Sequence, residues 1–103
     1  MAEKEKNMAR KFTFSKYECW WEDATSHAEW KSRSDAAQDT LSICYTEGYL
    51  IHKDEDKHIF VMSFTIDDVG DEIIIPTRNI KLINKIGTKT FTEKDFNYGT
   101  YKN

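Results

Sequence analysis

Apolar and polar side chains alternate along the first strand-like stretch, from Phe12 to Asp23. Tyr17, Cys19 and Trp21 fall on one side, and Glu18, Trp20 and Glu22 on the other. A period of two predicts a half-buried strand, with Trp21 in the core and Trp20 partly exposed. Residues 24–39 break the alternation with a long polar connection that has Trp30 in its middle. Either Ser34 caps a short helix through Gln38, or Ser26 starts one through Arg33. Connections longer than about 12–15 residues tend to carry function. Thr40 to His52 reads as a second strand, and Gly48 within it marks a bulge or bend. Lys53 to Lys57 is a charged hairpin tip. His58 to Asp67 returns as a third strand, with Phe60, Met62, Phe64 and Ile66 on one face. Ile59 and Val61 make its first half apolar on both faces, as expected of a central strand or one covered by another subunit. After a turn at Asp67 to Asp71, Ile73 to Ile75 form a short strand stopped by Pro76. Thr77 to Asn79 make one helical turn, and Ile80 to Ile86 a last strand ending at Gly87.

This order predicts a mostly β fold. Five short strands, a long first inter-strand loop or short helix, and a helical turn before the last strand resemble the SH3-like or Sm-like small barrels, in which closure removes exposed sheet edges. Trp21, Phe60, Met62, Ile73 and Ile75 are the expected core. The chain divides into a flexible basic arm (1–11), the β domain (12–87) and a tail (88–103). Phe91, Phe96, Tyr98 and Tyr101 give that tail enough aromatic surface to dock on the body or on a neighbouring subunit. A homo-oligomer is expected.

Charge modifies this picture. The 103 residues carry 15 basic and 18 acidic side chains, a net charge of −3. Within residues 1–16, five cations face only Glu3 and Glu5, so the remainder is acidic. An acidic body with a short basic arm argues against general nucleic-acid binding, which depends on neutralising phosphates. The longest apolar run is Ile59 to Met62, far short of the roughly 20 residues of a membrane helix. The opening residues lack the apolar stretch of a secretory leader, which predicts none. Cys19 and Cys44 read as two reduced thiols of a cytoplasmic protein, with a bridge or a shared zinc as the other readings.

Trp21-x-Asp23-Ala24, then Trp30, Gly48-x-Leu50, Ile75-Pro76 and Ile80-x-x-Ile83 resemble a group of short phage and prophage proteins. The match spans roughly residues 17–86. It implies a phage-encoded accessory protein, one that counters host defence in the cytoplasm of an infected bacterium, and it carries over no catalytic residues.

No GxSxG, HExxH or deaminase pattern occurs, and Gly87-Thr88-Lys89 lacks the remaining features of a P-loop. The reading is therefore non-enzymatic, with neither cofactor nor metal. Trp20 and Trp30 are candidates for stacking on a base, and Lys31, Arg33 and Ser34 for holding a phosphate. Arg78 and Asn79 offer a second polar contact. Two weaker groupings are His52 and His58 with Asp54 or Asp56, and Glu22, Asp23 and His27. The leading expectation is sequestration of a small anionic ligand, a nucleotide immune signal. The alternative is a protein that blocks a host defence enzyme, and the third an Sm-like RNA- or DNA-binding module.

Overall fold

The computed structural model describes residues 10–97. The first nine residues of the expected basic arm, and Tyr98 and Tyr101 of the tail, lie outside them. Five strands form one antiparallel sheet in the order β6-β3-β2-β1-β7. They are β1 (Lys11–Asp23), β2 (Ser42–Lys53), β3 (Lys57–Val61), β6 (Ile73–Pro76) and β7 (Ile80–Thr92). A separate two-stranded hairpin, β4 (Ser63–Phe64) and β5 (Val69–Gly70), is inserted between β3 and β6. A 3-10 turn, Thr77–Asn79, joins the two edge strands, and another, Glu93–Phe96, follows β7. No helix among the described residues is long and apolar enough to cross a membrane.

The alternation in β1 sets the core. Tyr17, Cys19 and Trp21 point to one side, which we call inner, opposite Gly48, Thr46 and Cys44 of β2. Cys19, Trp21, Phe60 and Ile75 form the buried cluster, with Leu50, Ile80 and Ile83 packed on its margin. A buried indole N–H needs an acceptor. Trp21 Nε1–H donates to Thr46 Oγ1 at 3.0 Å, across the β1–β2 ladder. Gly48 marks a close approach of β3 to β2, not the bulge, which lies between Leu50 and His52. A Cβ there would lie 3.2 Å from the Val61 carbonyl oxygen and 3.3 Å from Phe60 Cβ, tight enough that these neighbours would have to shift by a few tenths of an ångström.

Three expectations need correction. Met62 is 53% exposed, not buried, and Ile73 is half-buried. The third strand ends at Val61, because the Met62 N–H donates to the Gly70 carbonyl and swings the chain into β4. Phe60 and Phe64 therefore serve different clusters instead of one face. The last strand does not stop at Gly87 but runs to Thr92, paired with Lys11. Gly87 has open space around the position of a Cβ, and the β-branched Thr88, Thr90 and Thr92 favour extended backbone beyond it.

The even-numbered residues of β1 point to the outer side. Phe12 faces Phe91, Lys16 faces Tyr49 and Trp20 faces both Tyr45 and Leu82. The β4–β5 hairpin lies over one end of this side. Phe64 stacks on Phe14 with ring centroids 4.8 Å apart and meets Phe91 at 5.1 Å and Tyr49 at 5.3 Å. Phe91 also meets Phe96 of the terminal 3-10 turn, at 5.6 Å.

Candidate functional site

The connection between β1 and β2 holds one short helix, α1 (Arg33–Ala37). Its cap is Ser32, which accepts from the Asp35 N–H at 3.1 Å. Neither Ser34 nor Ser26 takes that role: Ser34 sits inside the helix, its hydroxyl 3.2 Å from that of Ser32. Lys31 Nζ pairs with Asp39 Oδ2 at 3.0 Å and so closes the loop. Trp30 is fully exposed. It lines a wide-mouthed hollow of about 400 Å³ together with His27, Glu29, Lys31 and Asp39. A tryptophan that folded the loop back onto the sheet would be covered, so the loop is held by its cap and its ion pair instead.

The candidate residues fall in three places. Trp20 lies on the outer side of the sheet, its ring tilted by 60° against Tyr45 at 4.9 Å. Trp30, Lys31, Arg33 and Ser34 lie on the loop, but only Trp30 and Lys31 line the hollow. Arg78 and Asn79 lie on the 3-10 turn between the edge strands. The guanidinium groups of Arg33 and Arg78 have no ion-pair partner among the described residues.

The Arg78 turn is tied to the β2–β3 hairpin tip. Asp54 Oδ1 accepts the backbone N–H groups of Asp56 and Lys57, and its Oδ2 lies 2.7 Å from His52 Nε2. The His52 bond, then the two backbone donors, hold the Asp54 carboxyl well below the usual carboxylate range. Thr77 donates its hydroxyl to the Asp54 carbonyl at 2.9 Å, and its N–H to the Asp56 carbonyl at 3.0 Å. With that hydroxyl proton used, the network assigns the 2.9 Å contact as His58 Nδ1–H donating to Thr77 Oγ1. Burial pushes the His58 pKa down, and the charge of Lys53 adds to this.

The weaker groupings do not assemble. His52 is bonded to Asp54 and His58 to Thr77. Glu22 pairs with Lys81, the Asp23 carboxylate takes the Ala24 N–H, and His27 lies beside Glu29. Among the described residues no three His, Cys, Asp or Glu side chains gather closely enough to hold a metal ion. Both cysteines are free. Cys44 faces Trp21 and Cys19 faces Thr46, so the two are diagonal neighbours on adjacent strands. Burial raises the pKa of the Cys19 thiol, which makes it a poor nucleophile.

Two surfaces were missed from the sequence. One is a small cavity of about 70 Å³ under the hairpin, lined by Phe12, Phe14, Phe64, Phe91 and Phe96, with Asp67 and Asp68 beside them. Arg10 braces its rim by pairing with Asp67 and Glu93, its guanidinium 4.9 Å from the Phe12 ring centre. The other is the exposed apolar row around Trp20, made of Tyr45, Leu82 and Ile43. Parity held the signal for both, since Phe12, Phe14 and Trp20 all occupy even positions of β1. No family model, curated protein or solved structure matches this chain. What the fold defines is a small, mostly β protein, and its function rests on the site alone.

Proposed function

We propose that the chain is a non-enzymatic accessory protein of the phage type that binds and sequesters a small anionic, nucleotide-like ligand. The full exposure of Trp30 carries this reading. An indole that contacts nothing in its own chain is free to stack on a planar base, and ordering it on a capped, ion-paired loop lowers the entropic cost of binding. The hollow is of the size that small-molecule sites usually have, about 300–1,000 Å³. Of the candidate cations, Arg33 and Arg78 have no ion pair among the described residues, whereas Lys31 is engaged by Asp39, so phosphate contact falls to the two arginines. The proposed architecture is SH3-like or Sm-like. The strand order, with both edges joined by one 3-10 turn, supports it.

A second reading is a protein that blocks a host defence enzyme. The charge of the hollow favours it, since Glu29 and Asp39 outnumber Lys31. An exposed tryptophan is also a common anchor of protein interfaces. Calorimetry against cyclic dinucleotides, cyclic trinucleotides and adenosine-diphosphate-ribose derivatives separates the two. Heat that Trp30→Ala abolishes supports sequestration. Silence with every nucleotide, together with a stable complex with a host enzyme, replaces it with the inhibitor reading.

A further inference from the structure

The hollow beside Trp30 is lined by two carboxylates, Glu29 and Asp39, against one lysine. The two acids are not equivalent. Asp39 Oδ2 is taken by Lys31 Nζ at 3.0 Å, the pair that closes the loop. Glu29 has no hydrogen bond among the described residues. His27 Nδ1 lies 3.6 Å from its Oε1, outside bonding distance. Glu29 and Trp30 are consecutive, with Cα atoms about 3.8 Å apart, and both border the same hollow. An indole with bare faces and a carboxylate with both oxygens unbonded therefore stand side by side.

We infer that the base held in the hollow is guanine, stacked on Trp30 with its Watson–Crick edge on the Glu29 carboxylate. The inference rests on the ligand reading and names the base. A ring stacked on an aromatic side chain keeps its edges free, and polar groups at the margin of the stack read them. An ionised carboxylate only accepts hydrogen bonds. It is therefore repelled by an edge that sets an acceptor beside its donor. Adenine does so on both sides of its N6 amine, at N1 and N7. Cytosine sets N3 beside its N4 amine, and uracil places N3–H between two carbonyl oxygens. Guanine offers two donors side by side, N1–H and N2–H. A carboxylate takes them as a parallel pair, as it takes two N–H groups of a guanidinium. The negative charge of the hollow, which opposes a phosphate, thus suits the base. The phosphate belongs outside the hollow, where Arg33 on α1 lies off the lining and without an ion pair among the described residues.

Calorimetry of the full chain against guanosine, inosine and adenosine 5′-monophosphates tests the assignment. Inosine lacks the N2 amine but keeps N1–H. Affinity is expected to fall in the order guanosine, inosine, adenosine, by at least about tenfold from first to last. The same order of bases is expected among cyclic dinucleotides. Glu29→Gln turns one acceptor into an amide donor. It is expected to weaken the guanosine ligand about tenfold and to bind the adenosine ligand as well as the parent or better, because an amide matches adenine's donor and acceptor. Trp30→Ala is expected to weaken every base without changing their order. Glu29 is 67% exposed, so Glu29→Gln should melt with the parent. The three-nucleotide comparison on the parent needs no variant. Equal affinity for guanosine and adenosine, heat only from ligands that lack guanine, or a preference that Glu29→Gln leaves intact overturns the guanine assignment and leaves sequestration standing. Silence with every nucleotide overturns both.

Discussion

The two ends of the outer side of β1 present the same kind of residue and meet opposite fates. At one end Phe12 and Phe14, with Phe91 beside them on β7, lie beneath the β4–β5 hairpin, where Phe64 packs on Phe14 and Phe91, and Phe96 packs on Phe91. At the other end Trp20, Tyr45 and Leu82 form a comparable row that nothing in the described chain covers. Between them runs a polar belt of Lys16, Glu18, Glu47 and Asn84. Both ends show that apolar alternation in a strand reports only which residues share a side. What covers that side depends on the segments that return to it. Where the chain supplies a hairpin, the cluster contributes to folding. Where none of the described residues returns, the same kind of surface stays exposed.

Neighbouring tryptophans sharpen the contrast most. Trp21 is 9% exposed and bonded to Thr46, whereas Trp20 faces out. Replacing a buried aromatic with alanine costs about 3–5 kcal/mol, so Trp21→Ala is expected to lose that much in chemical denaturation. Trp20→Ala is expected to lose less than about 1 kcal/mol, because its ring contact is one exposed aromatic pair with Tyr45. Equal losses for the two would erase the distinction between the sides of β1.

Phe64 and Leu82 make the matching pair along the outer side. Phe64 touches three rings but is only half-buried, so Phe64→Ala is expected to cost about 2–3 kcal/mol, below the range for full burial. Leu82 is 51% exposed, so Leu82→Ala belongs with ordinary surface changes, within about 0.5 kcal/mol. Thermal melts of the two variants at low protein concentration give the comparison. If Phe64→Ala melts with the parent, the hairpin is not what holds the covered end.

The legibility of the sequence follows the same division. The side of β1 that forms the core could be read directly, because Tyr17, Cys19 and Trp21 alternate with carboxylates. Pro76 announced a strand end for steric reasons that need no tertiary context, whereas the β2 bulge lies between Leu50 and His52, not at Gly48. The covered end was hidden by the assumption that Phe60, Met62, Phe64 and Ile66 continue one strand. A hydrogen bond from the Met62 N–H to Gly70 breaks that run, and no local pattern signals it. The loop was legible as a place but not in detail. Ser32, not Ser34, caps its helix, and competing serines at adjacent positions differ too little in propensity to be ranked. The candidate cations proved separable only by their partners: Lys31 is engaged, while Arg33 and Arg78 are not.

Acid is expected to act on the hairpin tip before it acts on either cluster. The folded state holds the His58 pKa below its ordinary value of about 6.5, chiefly by burial. A depressed histidine favours the neutral folded form. The stability linked to it is therefore intact above that value and declines as pH falls below it, where the unfolded chain takes up the proton. Asp54, also depressed, keeps its contribution until the carboxylate range is reached. The protection factors of the Thr77 and Asp56 amides, with the intrinsic pH dependence of exchange divided out, should fall between pH 7.5 and 5, with those of Cys19 and Trp21 changing least. An equal loss of protection at all four positions would show that the tip does not open separately.

The smallest expected effect on stability is at Trp30. Its ring is fully exposed, and the loop around it is held by the Ser32 cap and the Lys31–Asp39 pair, neither of which uses the indole. Trp30→Ala is therefore expected to leave the unfolding free energy within about 0.5 kcal/mol of the parent. Ser32→Ala, which removes the cap, should cost about 1 kcal/mol of helix stability and loosen the loop. Against a nucleotide ligand the order changes. Loss of a stacking aromatic costs about 1–3 kcal/mol per base, roughly ten- to a hundredfold in affinity, so Trp30→Ala should bind far more weakly while melting with the parent. Ser32→Ala should bind only slightly more weakly, because it changes the order of the loop and not the stacking surface. A Trp30→Ala variant that melts well below the parent would mean that the indole packs on the chain after all, and the distinction between covered and bare aromatics would fail at its most exposed residue.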